Sequence, residues 1–574
     1  MRRRLSLVAA AFSAGAVLLF FVSRGKWSDP LIDSGREWIV PDTLARGEML
    51  YRDVVYWFGP LTPYLQAVFF RVFGSSFAAL VAAGAAAGVA VLFLLHALLR
   101  RVTGAMEAML WTGLAIPTLL FMPNAGGIFL GMGYRIWHAA AFAMAGVVMA
   151  SRSGGARTRR LRVALAGVSA GLAGLCRTEW GVAAAAAVAL ACLLRSRRRG
   201  HGAVNAFGSL AAALVTFAAG IGIFLAEAGS AAVVKDGHVL LTGLPEETRH
   251  FLIAFSGLPD WKRGSAELLY SAAAWTGLFL VAALLFVPAS GRGRTLVLLA
   301  AVLGVLGLAA SVGGAGGAVL FSAAPLVSLA GLLAGLSRRR GAPAAALSAC
   351  GLLGLSLSYR RPFHIGDSGY VGPPLLFAFV CAAGLLHIAV AARHDLVSRE
   401  RLRAAYRWAV AALVAVALAG RAWQYGSLEG RPIRGTAGML TARPEVALEI
   451  EELSSAVRQQ TRPGDGLVVL PEGELLNFLS ERRNPIRHKL YLPGYLTSEN
   501  ESAVLAELER ARPAAVVIWR RPVSEYDRSL FGEDYGKRIR AWIEANYRLL
   551  PFQARDAPRR QNERFLWGIR RERL

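Results

Sequence analysis

Apolar residues in this chain run in long continuous blocks rather than alternating with polar ones, and short polar stretches separate the blocks. The blocks are roughly 18–24 residues long, the length of helix that crosses a hydrocarbon core. Inside such a core every backbone polar group has to be bonded locally, so each block reads as a transmembrane helix. The pattern places about thirteen helices, near 5–23, 76–99, 105–122, 136–150, 163–175, 181–194, 205–228, 266–288, 293–312, 316–336, 342–358, 373–391 and 408–422. The runs at 163–175 and 181–194 are short for full spans, which leaves a re-entrant or irregular pair open. Many blocks are rich in Ala, Gly and Leu, whose small members let helices approach closely, so a compact bundle follows.

After residue 422 the pattern changes. Val468–Leu470 and Ala515–Trp519 read as buried strands, because short β-branched runs are bounded by turn residues. Residues 445–458, 499–510 and 535–547 read as amphipathic helices. The expected organisation is a transmembrane domain over 1–422, with a first outside loop over about 24–75, followed by a soluble α/β domain over 423–574.

Composition agrees with a membrane protein: 55% of residues are hydrophobic and the mean hydropathy is +0.44. The formal net charge of +26 would suggest a nucleic-acid partner in a soluble chain. Here the basic residues cluster in the short connections, as in Arg157–Arg160, Arg197–Arg199 and Arg338–Arg340, which is the positive-inside signature. Threading by alternation puts these turns inside and places the N-terminus in the cytoplasm. Residues 24–75, the segment from Pro123 to Arg135 and the C-terminal domain then fall outside. Met1–Arg4 followed by an apolar run resembles a signal peptide. No small-x-small cleavage site follows, so it reads as an uncleaved first helix. Cys176, Cys192, Cys350 and Cys381 lie in or beside apolar blocks without metal-type spacing, which assigns them to packing.

Candidate chemistry concentrates in the first outside loop, where carboxylates alternate with Arg and aromatic residues: Asp33 and Glu37, then Tyr51, Arg52, Asp53 and Tyr56, then Gly59–Pro60–Leu61. Such a mixture beside a membrane suits a polar headgroup carried on a lipid, and equally a solvated loop with ion pairs. The run from Asp33 through Gly47–Glu48, Tyr51–Asp53 and Gly59–Leu61 resembles the first periplasmic loop of GT-C glycosyltransferases, multi-spanning enzymes that take sugars from polyprenyl-phosphate donors. It is most similar to the bacterial branch of lipopolysaccharide core, aminoarabinose and protein mannosyl transferases. The loop departs from better-known members at Asp33–Ser34, where they carry Asp-Glu, and at Phe58–Leu61, where aminoarabinose transferases carry Lys-Pro-Pro-Leu. The resemblance implies a GT-C-like bundle in a bacterial inner membrane and carries the proposed general base over to Asp33. Asp53 matches a second acidic position, read as a metal ligand, an acceptor contact or a partner of Arg52. Tail residues Leu476–Leu479, Arg482–Pro485, Arg512–Pro513 and Phe531–Gly536 recur in this branch, as structural turns or an acceptor platform.

Charged residues inside apolar segments are expensive and face cavities or each other. Arg177 and Glu179 interrupt an apolar hairpin; the stretch resembles a Lys/Arg-x-Glu stretch of related transferases, which implies a donor-phosphate contact, and the alternative is a mutual or helix-end pair. Arg135, beside Trp137 and His138, and Arg360 and Arg361, beside His364 and Asp367, emerge at the same outside face and could meet a phosphate. His364 and Asp53 are the candidates for a divalent metal ion. The function expected is sugar transfer from a polyprenyl-phosphate donor to a lipid, glycan or protein acceptor, with inversion. The alternatives are a lipid-linked glycan polymerase or ligase, and a non-enzymatic transporter. A transporter would place ionisable residues near the midplane and show related halves.

Overall fold

The computed structural model describes residues 2–123, 127–131, 133–152, 156–195, 199–237, 246–255, 324–338, 341–358, 372–392, 395–554 and 564–573, with a few positions between 261 and 269. Eleven of the thirteen expected spans are helical within these residues: Arg2–Ser23, Phe77–Val102, Ala105–Ala115 continued by Ile116–Leu120, Tyr134–Ser151, Ala156–Cys176, Thr178–Arg195, Arg199–Ala228, Ala324–Leu336, Ala342–Ser358, Leu375–Ala391 and Leu396–Gly426. The spans expected at 266–288 and 293–312 lie outside the described residues, as do Arg360, Arg361, His364 and Asp367. Among the described residues, five helices are long and apolar enough to cross a membrane. Large apolar side chains such as Phe93, Phe207 and Leu214 face outward on them, as the surface of a protein solvated by lipid does. The chain is a membrane protein.

The short hairpin expected around Arg177 is corrected. Ala156–Cys176 is 21 residues long and Thr178–Arg195 is 18. The first helix begins inside the basic turn, so Arg159 and Arg160 belong to its first turns. This helix packs closely on Arg199–Ala228. A Cβ on Gly167 would stand 2.2 Å from the Ser209 carbonyl oxygen, and one on Gly171 2.6 Å from that of Ala213. Glycine spaced at i and i+4 therefore makes the backbone contact possible.

The loop over 24–75 is not irregular throughout. It folds into a short π-turn at Pro30–Ser34 and helices Gly35–Ala45 and Leu61–Phe73, which pack on each other. Asp29 caps the first of these by accepting from the N–H groups of Leu31 and Ile32. Thr441 donates to the Gly25 carbonyl, Lys26 to that of Tyr425, and Arg487 to those of Tyr51 and Arg52. The loop and the C-terminal segment thus meet at one end of the bundle. Glu107, near the start of Ala105–Ala115, pairs at 2.9 Å with Arg407 within the Leu396–Gly426 helix.

The C-terminal segment holds a four-stranded sheet in the order β3-β4-β6-β5, besides a two-stranded ribbon of β1 (Arg431–Pro432) and β2 (Thr441–Ala442). β3 (Leu467–Leu470) and β4 (Ala515–Trp519) fall where the apolar runs placed them and pair in parallel, Leu467 opposite Ala515. β5 (Tyr547–Pro551) and β6 (Phe565–Arg570) add an antiparallel edge that the apolar pattern did not reveal. Their residues are half-exposed and include Arg548 and Arg570, so no continuous apolar run marks them. Helices Pro444–Gln460, Glu501–Ala511 and Lys537–Asn546 match the amphipathic expectations.

Candidate active site

Asp33 lies in the π-turn just before the Gly35–Ala45 helix. Only 8% of its surface is exposed, and its Oδ1 has no hydrogen-bond partner among the described residues. Burial pushes its carboxyl above the ordinary range. Arg36, Arg135 and Arg521 pull it down, and Asp29 pushes it further up. The position is fixed by backbone contact: a Cβ on Gly35 would stand 2.3 Å from the amide nitrogen of Leu475. No other residue type permits the loop helix to sit this close to the C-terminal turn.

A cleft of about 610 Å³ including its open mouth is walled by loop residues Arg36, Glu37, Tyr56 and Gln66, by Arg135, and by Lys489 and Tyr495 of the C-terminal segment; Asp33 is not on its wall and adjoins it through the charges of Arg36 and Arg135. Arg135 opens the Tyr134–Ser151 helix and is buried, with its guanidinium carbon 3.6 Å from the centre of the Phe58 ring. That cation–π contact holds the fork flat while Arg135 also bonds Tyr56. Burial pushes the Tyr56 hydroxyl up to about 12. Glu37 is buried, which raises its carboxyl, and the guanidiniums of Arg135 and Arg36 pull it back. Trp57 stacks on Tyr495 with ring centres 3.7 Å apart, closing one end of the cleft. Lys489 donates to the carbonyls of Asn484 and Ile486, and burial pushes its ammonium down to about 8.

The other expected residues divide. Tyr51 adopts a left-handed backbone, φ +67°, and its hydroxyl donates to the Phe58 carbonyl, so it shapes the loop. Asp53 accepts from Arg52 at 2.8 Å and from the Met49 N–H, and the bond from Arg52 holds its carboxyl below the usual range. Arg177 and Glu179 pair at 2.6 Å. The pair lies just past Leu175 and Cys176, whose carbonyls a Cβ on Gly59 would approach to 2.3 and 2.6 Å, but it does not line the cleft. His138 is buried 3.3 Å from the Thr62 hydroxyl, a satisfied polar pair. In the tail, Asn477 donates to the carbonyls of Leu467 and Arg482, and Arg482 to those of Ser480 and Thr461, as turn-forming residues do.

Solved structures share this architecture. The crystal structure of ArnT from Cupriavidus metallidurans bound to undecaprenyl phosphate aligns at a TM-score of 0.50, covering 98% of this chain and 97% of that chain at 14% identity. The chain shares the fold of ArnT. Looser matches are the oligosaccharyltransferase AglB of Archaeoglobus fulgidus, with an inhibitory peptide and a dolichol-phosphate, and the arabinofuranosyltransferase AftD of Mycobacteria. AglB aligns at TM-score 0.48 and 15% identity, over 89% of this chain and 69% of that one. AftD aligns at 0.46 and 13%, over 99% and 40%. No protein-family model matches the sequence, and no curated protein matches it.

A divalent metal ion finds little support among the described residues. No three His, Cys, Asp or Glu side chains converge there, and both Asp53 oxygens face Arg52. Asp53 therefore fits the ion-pair reading better than a ligand role.

Gln66 and Lys489 on the cleft wall, and Glu472 and Arg521 behind Arg36, lie beyond the sequence expectations. Glu472 follows β3 by two residues and Arg521 follows β4 by two. Polar groups at the carboxyl ends of parallel strands are where α/β sheets gather ligand contacts, and that is the signal that could have singled them out. Gln66 and Lys489 carried no comparable mark.

Proposed function

We propose that the protein is a glycosyltransferase that moves a sugar from a polyprenyl-phosphate donor to a lipid, glycan or protein acceptor on the periplasmic face, inverting the anomeric centre. The observation that carries this reading is a buried Asp33 with an open oxygen, set beside a cationic cleft in the fold of a polyprenyl-phosphate-binding enzyme. An acceptor hydroxyl oxygen attacks the anomeric carbon while Asp33 takes its proton. The new C–O bond forms as the bond from the anomeric carbon to phosphate breaks, and the polyprenyl phosphate leaves with the electron pair. A phosphate leaving group needs positive charge rather than a strong acid. Arg135 and Arg36, on the cleft wall, supply it more directly than Arg177, which does not line the cleft. A raised carboxyl is better matched to proton abstraction near neutral pH than an ordinary aspartate.

The thirteen-helix topology, a 1–422 bundle and a periplasmic 423–574 domain belong to this reading, because the charge pattern and the shared end of loop and C-terminal segment agree with them. The test is incubation of purified protein with labelled polyprenyl-phosphate sugars and membrane acceptors. Transfer with release of lipid phosphate is expected. Release from none of the donors would favour a transporter. Reporter fusions after Arg160 and after Arg421 are expected on opposite sides of the membrane, and a same-side result overturns the topology.

A further inference from the structure

Arg36, Glu472 and Arg521 form a chain of ion pairs from which the transfer step above takes only Arg36. Parallel pairing of β3 with β4 brings both carboxyl ends to one edge of the sheet, so Glu472 and Arg521 project together toward the loop. The Glu472 side chain is fully buried. Its Oε2 lies 3.0 Å from the Arg36 Nη2 and its Oε1 3.3 Å from the Arg521 Nε. One carboxyl therefore grips a guanidinium from the outer loop and another from the C-terminal sheet, and Glu525 holds Arg521 from the far side at 2.5 Å. The backbone closes on the same spot through Gly35 and Leu475. Arg36 and Arg521 both act on Asp33. A buried ion pair contributes little net stability compared with apolar packing, so stability alone is a weak reason for this arrangement.

We propose that Glu472 is a positioning residue for the transfer reaction, clamping Arg36 and Arg521 together so that the outer loop holds Asp33 at the cleft. The proposal rests on the transferase reading. The groups facing Glu472 are Arg36 and Asp33 from the loop, Arg521 from the sheet edge, Glu474 from its own turn, and the hydroxyls of Tyr495 and Tyr535. Burial pushes Glu472 up to about 7, so its charge, and with it the grip on the two guanidiniums, changes in the pH range where the enzyme would work.

Glu472→Gln keeps the shape and removes the charge. Its kcat is expected to fall about tenfold with the donor KM within about twofold, because the loss is in placement and not in ground-state contact. The two released guanidiniums then bear harder on Asp33, so the acid limb of the pH–rate profile moves to lower pH. A purely structural loss would reduce the amount of folded enzyme and leave that limb in place. Glu472→Asp, which keeps the charge, is expected to return the limb toward its original position. Wild-type kcat and an unmoved limb in Glu472→Gln overturn the proposal. A second arm needs no activity: the thermal shifts of Glu472→Gln and Arg521→Gln, alone and combined in detergent-purified protein, are expected to be non-additive. Additive shifts overturn the clamp. Absence of transfer by the wild type overturns the transferase reading, and the clamp is then judged on the thermal cycle alone.

Discussion

Replacing Asp33 by Asn separates the charge of this carboxyl from its shape. The side chain keeps its volume in a site that is 8% exposed, so packing against the Leu475 turn is preserved. A general base contributes on the order of 10²–10⁴ in rate, which is about 2.7–5.4 kcal/mol of barrier at roughly 1.36 kcal/mol per decade. The expected fall in kcat is therefore at least about a hundredfold. Stability moves the other way. Burial raises the folded-state pKa of Asp33 above its unfolded value, so the folded protein binds the proton more tightly than the unfolded chain. The slope of stability with pH is then negative, and the carboxylate weakens the fold at pH above its raised pKa, with the penalty lifted below it. An amide has no such penalty, so the variant is expected to melt at the same temperature or higher at neutral and alkaline pH, and to lose that advantage in acid. The assay pairs single-turnover transfer from a labelled polyprenyl-phosphate sugar with thermal unfolding over the same pH series. The acid limb of wild-type activity is expected above the ordinary aspartate range and absent from the variant's residual rate. Transfer by Asp33→Asn within about fivefold of wild type would refute the base assignment, since no general base is worth so little.

Arg135→Lys keeps the charge but loses the planar stacking on Phe58, and is expected to weaken undecaprenyl phosphate binding about tenfold in a fluorescence titration. Gly35→Ala drives a Cβ into the backbone of Leu475 and is expected to cost about 1–3 kcal/mol in unfolding measurements, with kcat falling as Asp33 is displaced. Asp53→Asn removes a partly exposed partner of Arg52 away from the cleft, so transfer is expected to stay within about threefold of wild type. Arg177→Gln and Glu179→Gln, measured alone and together for thermal stability and donor binding, are expected to couple in stability while leaving binding within about threefold. A large separate loss of donor binding in Arg177→Gln would return that arginine to the phosphate site.

Much of the architecture was written locally. A transmembrane helix is specified by the length of an apolar run, because the bilayer requires each segment to satisfy its own backbone. That is why eleven helices of the bundle, Val468–Leu470, Ala515–Trp519 and three amphipathic helices could be read from pattern alone. The acidic loop with Asp33, Glu37 and Tyr56 was legible for a different reason: ionisable residues beside a membrane stand out against their apolar surroundings. The tertiary structure decided which of these residues share a site. It sent Asp53 to Arg52, paired Arg177 with Glu179, and brought Arg135 onto Phe58 and Tyr56. It also carried Glu472, Lys489 and Arg521 from more than 400 residues away in the chain to the side of Asp33 and Arg36. Hydropathy patterns report the environment of a residue relative to its neighbours in sequence. Convergence of a loop with the carboxyl ends of two parallel strands depends on packing between distant segments, and no periodicity encodes it.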